Sequence, residues 1–247
     1  MAETTEQTRN KVAMVVVAHE DDAEFDGAGT VALWTRDGWD VYYVICADGG
    51  SGGLDSATDV GPAARKQVIE TRMQEQRAAA AVLGVKDVFF LGYPDGQLEP
   101  SLELRRDIVR LLRHYQPSRV VCQSPDRSWT PSLIIQRYHR DHLTAGRATL
   151  EAIYPASQNP WDFPELMQEG LKPHKVSEIL ITGAPVVNFG VDITTTMDTK
   201  LEALHAHTSQ IQNSERDLDN FILSIDAEIG KKYGYTYAEE FHRVELG

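Results

Sequence analysis

His19, Asp21 and Asp22 stand directly after an apolar run, and residues of those types at such a place point to metal chemistry. Val12-Ala13-Met14-Val15-Val16-Val17 is a β-branched stretch long enough for one buried strand. Ala18-His19-Glu20-Asp21-Asp22-Ala23-Glu24-Phe25 follows it and sets an imidazole among several carboxylates. Unpaired carboxylates are costly to bury and normally pair or bind metal, so a divalent cation would compensate them directly. His139-Arg140-Asp141-His142 repeats the same residue types far downstream.

If the strands ending at Ala18 and Cys122 are neighbours, with the winding reversed between them, His19, Asp22 and His142 converge at the switch point. Two imidazoles and one carboxylate are a common set for catalytic zinc and leave a position open for water. The cation lowers the pKa of that water from 15.7 to around 7. Asp21 and Asp22 are adjacent, so one ligates and the other holds the water's proton as general base. The expected cofactor is one Zn²⁺ per chain, although the same set suits other divalent transition metals.

The elements that must position these groups are legible as alternating runs. Val41–Cys46, Asp87–Leu91, Arg119–Cys122, Glu178–Ile181 and Asn188–Asp192 read as further strands. Between them, Ile69, Met73, Ala80 and Leu83 form a helical stripe ended by Gly84. Leu104, Ile108, Leu111 and Tyr115 form another, stopped by Pro117, and Leu143, Gly146, Leu150 and Ile153 follow the second cluster. Leu218, Phe221, Ile222, Ile225 and Ile229 give the strongest amphipathic stripe. Strands alternating with helices predict an α/β fold: a Rossmann-like three-layer αβα arrangement with a mostly parallel sheet. Loops at 49–64, 93–100 and 124–138 follow strands, which places the site at the carboxyl edge. Residues 1–10 read as a frayed polar tail and 11–247 as one domain.

Composition narrows the partners. A formal net charge of −13 argues against nucleic acid or an anionic membrane surface. No run approaches the roughly 18 apolar residues of a membrane span. Cys46 and Cys122, each within an apolar run, read as core residues in a reducing cytoplasm.

Ala18-His19-Glu20-Asp21-Asp22 resembles the A-H-P-D-D motif of the LmbE-like, or PIG-L-type, family of zinc-dependent N-acetylglucosamine deacetylases, with Glu20 in place of proline. His139-Arg140-Asp141-His142 is similar to its H-P-D-H motif, with Arg140 in place of proline. Arg72-Met73-Gln74-Glu75 resembles its R-x-x-E helix and Leu91-Gly92-Tyr93-Pro94-Asp95-Gly96 its L-G-x-x-D-G loop. Lys200, Ala203, Leu204, His207, Ser209 and Gln210 resemble a K-x-x-A-L-x-x-H-x-S-Q segment. The resemblance implies that His19, Asp22 and His142 hold zinc, that Asp21 is the general base, and that His139 is the general acid or steadies the tetrahedral intermediate. It implies sugar contacts from Arg72 and Asp95, a small N-acetylated sugar as substrate, and a homo-oligomer. The family's oxyanion tyrosine falls at Arg137, with Tyr138 one residue later.

Other readings compete. Trp129, in the loop before the second cluster, either stacks on a sugar or pins the loop. Arg72 and Glu75 fit a surface ion pair. Lys200, His207 and Gln210 share a stripe that a solvated face also explains. Glu20 and Arg140 keep the geometry that the prolines supply while altering charge near the mouth, and an ion pair between them is the lesser reading. Gly27-Ala28-Gly29-Thr30-Val31-Ala32 fits a permissive dinucleotide fingerprint, but acids intervene between it and the strand. A non-catalytic sugar-binding descendant, or an amidase for another N-acyl compound, is the alternative function.

Overall fold

The computed structural model describes residues 10–130, 133, 138–211 and 217–246. Val12–Val17 forms β1, and its alternating side chains divide between two cores. Met14, Val16 and Ala18 enter one cluster, Ala13, Val15 and Val17 the other. A strand buried on both faces belongs in the middle of a helix-covered sheet. β1 accordingly pairs in parallel with β2 (Asp40–Ala47) on one side and with β4 (Arg119–Gln123) on the other.

β3 (Asp87–Tyr93) continues the sheet beyond β2, and β5 (Glu178–Thr182) continues it beyond β4, both in parallel. With β6 (Phe189–Asp192) and β7 (Ala238–Glu245) the order is β3-β2-β1-β4-β5-β7-β6. β7 runs antiparallel to both of its neighbours. Helices α1 (Asp22–Arg36) and α2 (Pro62–Val82) pack Ala28, Val31, Ala79 and Leu83 on one face. Helices α3 (Leu102–Tyr115) and α4 (Arg140–Glu151) pack Leu104, Ile108, Ala145 and Ala148 on the other. The expected αβα layering and the winding reversal between β1 and β4 are both present.

α4 runs into a π-helical turn, Ala152–Ala156, followed by α5 (Pro164–Gln168), α6 (Met197–His205), α7 (Thr208–Ile211) and α8 (Leu218–Tyr233). On α8 the buried row is Ile222, Asp226 and Gly230, so the apolar stripe read from the sequence is turned partly outward. β7 escaped the sequence reading because Glu239, Glu240, His242, Arg243 and Glu245 break its apolar pattern. Other elements neutralise those charges: Lys200 Nζ lies 2.9 Å from Glu239 Oε1, and Arg243 pairs with Glu178.

The glycine pattern of 27–32 does not form a strand-to-helix turn. It lies inside α1, which breaks at Gly27, and the Glu239 carboxylate accepts the N–H groups of Gly29 at 2.9 Å and Thr30 at 2.8 Å. A Cβ on Gly29 would stand 2.7 Å from Ile193, so close packing of α1 accounts for that glycine. Cys46 and Cys122 are buried free thiols, pushed up in pKa by burial, as core residues should be.

Candidate metal centre

The switch point between β1 and β4 gathers the two clusters. Ala18 donates its N–H to Gln123 Oε1 at 3.0 Å, which clasps the carboxyl ends of the two strands. His19 follows at once, and its own N–H is accepted by Asp22 Oδ2 at 2.8 Å. Asp22 opens α1, so its carboxylate faces the positive end of that helix. His142 sits in the first turn of α4, which rises from the end of β4 on the opposite side.

These side chains meet around Asp22. Its Oδ2 lies 3.4 Å from His19 Nδ1, and its Oδ1 lies 3.1 Å from His142 Nε2. The rings of His19 and His142 are 5.3 Å apart, and His139 lies 4.8 Å from the first and 5.4 Å from the second. Nitrogens of His19, His139 and His142 approach one another within 4.8 Å. Burial alone would raise Asp22, but His142 and His19 hold it well below the usual carboxylate range.

The second nitrogen of His19 is held from behind. Nε2 lies 3.2 Å from Asp95 Oδ1 and 3.3 Å from Asp141 Oδ2. Burial works against the imidazolium, yet hydrogen bonds to Asp141, Asp22 and Asp95 push His19 up to about 12. A ligating histidine ordinarily gives one nitrogen to the metal and the other to a carboxylate. The donor set therefore fits a divalent cation: Nδ1 faces Asp22, while Nε2 is spent on Asp95 and Asp141.

Asp141, the acid of the second histidine cluster, has a task of its own. It is fully buried, and besides His19 it accepts from Gly96 N at 2.7 Å and Leu98 N at 3.2 Å. It thus ties the 95–98 loop to the first histidine. Asp95 completes that tie by accepting Ser51 N at 2.9 Å. Asp48 supports the same loop: its Oδ1 accepts from Gly50 N at 2.9 Å and Asp95 N at 3.1 Å.

Asp21 precedes α1 with φ 86° and ψ −31°, a left-handed conformation for a residue with a Cβ. Burial, and then the charge of Asp22, push its carboxyl up to about 7. Arg72 Nη2 lies 3.6 Å from Asp21 Oδ2. His139 caps α4: its Nδ1 accepts Asp141 N at 3.3 Å, so a neutral His139 carries its proton on Nε2.

Several expectations change on contact with the structure. Arg72 and Glu75 form no surface pair and are both buried. Arg72 donates to Glu20 O at 2.8 Å and Gly49 O at 3.2 Å, while Glu75 accepts from Thr208 and Ser209. Glu20 and Arg140 do not meet. Glu20 is buried with Oε2 3.6 Å from Arg72 Nε, and Arg140 reaches Glu99 Oε1 at 2.6 Å. Lys200 and His207 are not on a solvated face; each is 1% exposed. Trp129 stands 68% exposed, which removes its loop-pinning role. Arg137 lies outside the described residues; Tyr138 accepts Ser128 N at 2.8 Å through its hydroxyl. Beside Ser51 opens a cavity of about 660 Å³, walled by the 50–60 loop, α2 and Ser209.

Comparison with known proteins supplies the remaining evidence. The model of the PIG-L family, GlcNAc-PI de-N-acetylase, matches residues 14–153. A diacetylchitobiose deacetylase of Thermococcus kodakarensis is 30% identical over 230 residues, covering 93% of this chain and 81% of that protein. A probable N-acetyl-α-D-glucosaminyl L-malate deacetylase of Bacillus cereus is 29% identical, covering 87% of this chain and 90% of its own length. The crystal structure of an N,N′-diacetylchitobiose deacetylase from Pyrococcus horikoshii superposes with a TM-score of 0.84 at 29% identity, covering 95% of this chain and 84% of that one.

Proposed function

This chain belongs to the PIG-L family, and from that premise we propose that it removes the acetyl group from an N-acetylglucosaminyl compound by metal-dependent amide hydrolysis. The observation that carries the reading is the meeting of His19 and His142 on Asp22, with the strained Asp21 next in sequence. His19, Asp22 and His142 would hold the cation, for which zinc is the first candidate. Such an ion polarises an amide carbonyl and lowers the pKa of water.

Asp21 is assigned the proton of the attacking water. Its carboxylate stands one residue from Asp22, and its raised pKa suits a base working near neutrality. The water oxygen adds to the acetyl carbon, the C–N bond breaks, and acetate and a free amine leave. The proton taken by Asp21 passes to that amine as it departs, and His139 is assigned to steady the tetrahedral intermediate through its Nε2–H, because Nδ1 is engaged by Asp141 N. Asp95, whose Oδ2 accepts Ser51 N beside the cavity, is assigned the sugar contact that the family resemblance implies. Trp129, on its exposed loop, offers a face for stacking.

Arg72 is assigned a different share of the work from the sugar contact first expected. Arg72 is 5% exposed and its guanidinium reaches Glu20 O, Gly49 O and Asp21, so it is assigned to orienting the base. The buried reduced cysteines support a cytoplasmic setting. Residues 11–247 are taken as one deacetylase domain that assembles as a homo-oligomer, for which sedimentation is the check.

The test is release of primary amine from N,N′-diacetylchitobiose and other N-acetylglucosamine derivatives, followed by fluorescamine. As-purified, chelated and zinc-restored protein are compared. Activity lost on chelation and restored by zinc, and abolished in Asp21→Asn with its metal still bound, supports the reading. Turnover in Asp21→Asn close to that of the unaltered protein would refute it.

A further inference from the structure

Gln76, on α2, lies wholly buried at the centre of a chain of polar contacts that ends on Asp21. Its Oε1 accepts the Asp21 N–H at 3.1 Å. Its Nε2 donates to both oxygens of Glu24, at 3.0 and 3.1 Å. Glu24 Oε2 in turn lies 3.1 Å from His207 Nε2. The three side chains come from α1, α2 and the joint between α6 and α7, and none is more than 1% exposed.

Chemistry fixes the direction of the bonds that Gln76 makes. A peptide N–H needs an acceptor, so the Gln76 carbonyl oxygen must face Asp21. The amide nitrogen then faces Glu24, and the carboxylate takes a proton-bearing nitrogen from His207. On its other side, the Asp21 carbonyl accepts from Glu24 N at 3.0 Å and Phe25 N at 3.1 Å. Asp21 is therefore held through the peptide groups on both sides of its Cα while it holds φ 86°. A conformation of that kind persists only where the surroundings over-determine it.

We propose that His207, Glu24 and Gln76 are positioning residues that hold the Asp21 backbone in its left-handed conformation and so aim its carboxylate. The inference rests on Asp21 as the proposed base, but its structural half is independent of turnover. Gln76→Met keeps length and removes the acceptor. In metal-free protein the Asp21 amide hydrogen should exchange at least about tenfold faster, read by ¹⁵N-resolved hydrogen exchange. On N,N′-diacetylchitobiose, kcat should fall about 10- to 100-fold with KM within about twofold, the signature of a displaced base.

A swap variant guards against simple loss of folding. Gln76→Glu alone sets two carboxylates together and should lose both kcat and Asp21 protection. Glu24→Gln with Gln76→Glu exchanges the groups: residue 24 then donates to residue 76 and still accepts from His207. Both readouts should recover in the double variant. A folded Gln76→Met protein with unchanged Asp21 exchange or unchanged kcat overturns the proposal. So does a folded double variant that stays as impaired as Gln76→Glu. Should the unaltered protein release no acetate, the functional reading fails, and the exchange measurement still decides the positioning chain.

Discussion

Asp141 Oδ2 lies 3.3 Å from His19 Nε2 while the same oxygen accepts the Gly96 amide at 2.7 Å. One buried carboxylate therefore orients the first candidate ligand and anchors the loop that carries Asp95. Burial would raise it, but the bonds from His19 and Gly96 hold it below the usual carboxylate range. Asp141→Asn sets an NH2 group either against Leu98 N or against His19 and Gly96, so at least one of these three donors is left unpaired. Metal affinity should fall about 10- to 100-fold, as for other outer partners of ligating histidines. Competition with a zinc chelator measures it; affinity unchanged in a folded variant would show that Asp141 serves the loop alone.

Legibility from sequence followed locality. β1, the first histidine cluster and its place at a strand end were readable because strand and cluster are contiguous. The adjacency of β1 and β4 was readable only as a supposition, since the contact joins residues 105 apart, as in Ala18 to Gln123. Lys200 and His207 misled because charge at helical spacing normally means solvent. Their partners Glu239, Asp226 and Glu24 stand far away in the chain, so spacing carried no trace of their burial. β7 failed for the same reason: its Glu239 is matched by Lys200 of α6 and its Arg243 by Glu178 of β5. Gln76 carries no charge and no motif, and only the fold brings it to Asp21.

Gly146 sets the distance between α4 and the sheet. A Cβ there would stand 2.1 Å from Gln123 O, a backbone atom at the end of β4 that cannot swing aside. Gly146→Ala must push α4 outward, and His142 moves with it. Overpacking of this kind costs about 1 to 3 kcal/mol. Chemical denaturation should show that loss, accompanied by weaker zinc binding than in Gly170→Ala. That control substitutes an exposed glycine with no atom within 4 Å of the added Cβ, although its φ of 85° brings strain of its own. Retained metal affinity in Gly146→Ala would mean that α4 does not set the position of His142.

Lys200 is 1% exposed and lies 2.9 Å from both Asp226 Oδ2 and Glu239 Oε1. Glu239 also holds the N–H groups of Gly29 and Thr30 where α1 restarts beyond its break. Lys200→Met fills the same volume but leaves two buried acids without a cation. Breaking a buried ion pair from one side costs about 3 to 5 kcal/mol. The expected result is a fall of that size in unfolding free energy, with no direct loss at the distant histidines. A change below about 1 kcal/mol would show that water reaches the triad.

Asp226 makes the pH dependence of that triad testable. Burial and the nearby Glu239 raise its carboxyl to about 6 against the pull of Lys200, from an ordinary value of 3.8. Between those two values the folded protein binds more protons than the unfolded chain, so this group's contribution to stability falls as pH rises. It is fully present below the lower value and gone above the upper one. Asp226→Asn removes the titration while keeping an oxygen for Lys200. The stability of the variant relative to the unaltered protein should therefore rise across that window by on the order of 3 kcal/mol and then level off. Melting both proteins in chelator at matched pH isolates this one carboxyl from every other acid in the chain. A difference that stays flat across the window, or that falls, would mean that Asp226 remains ionised against Lys200 throughout.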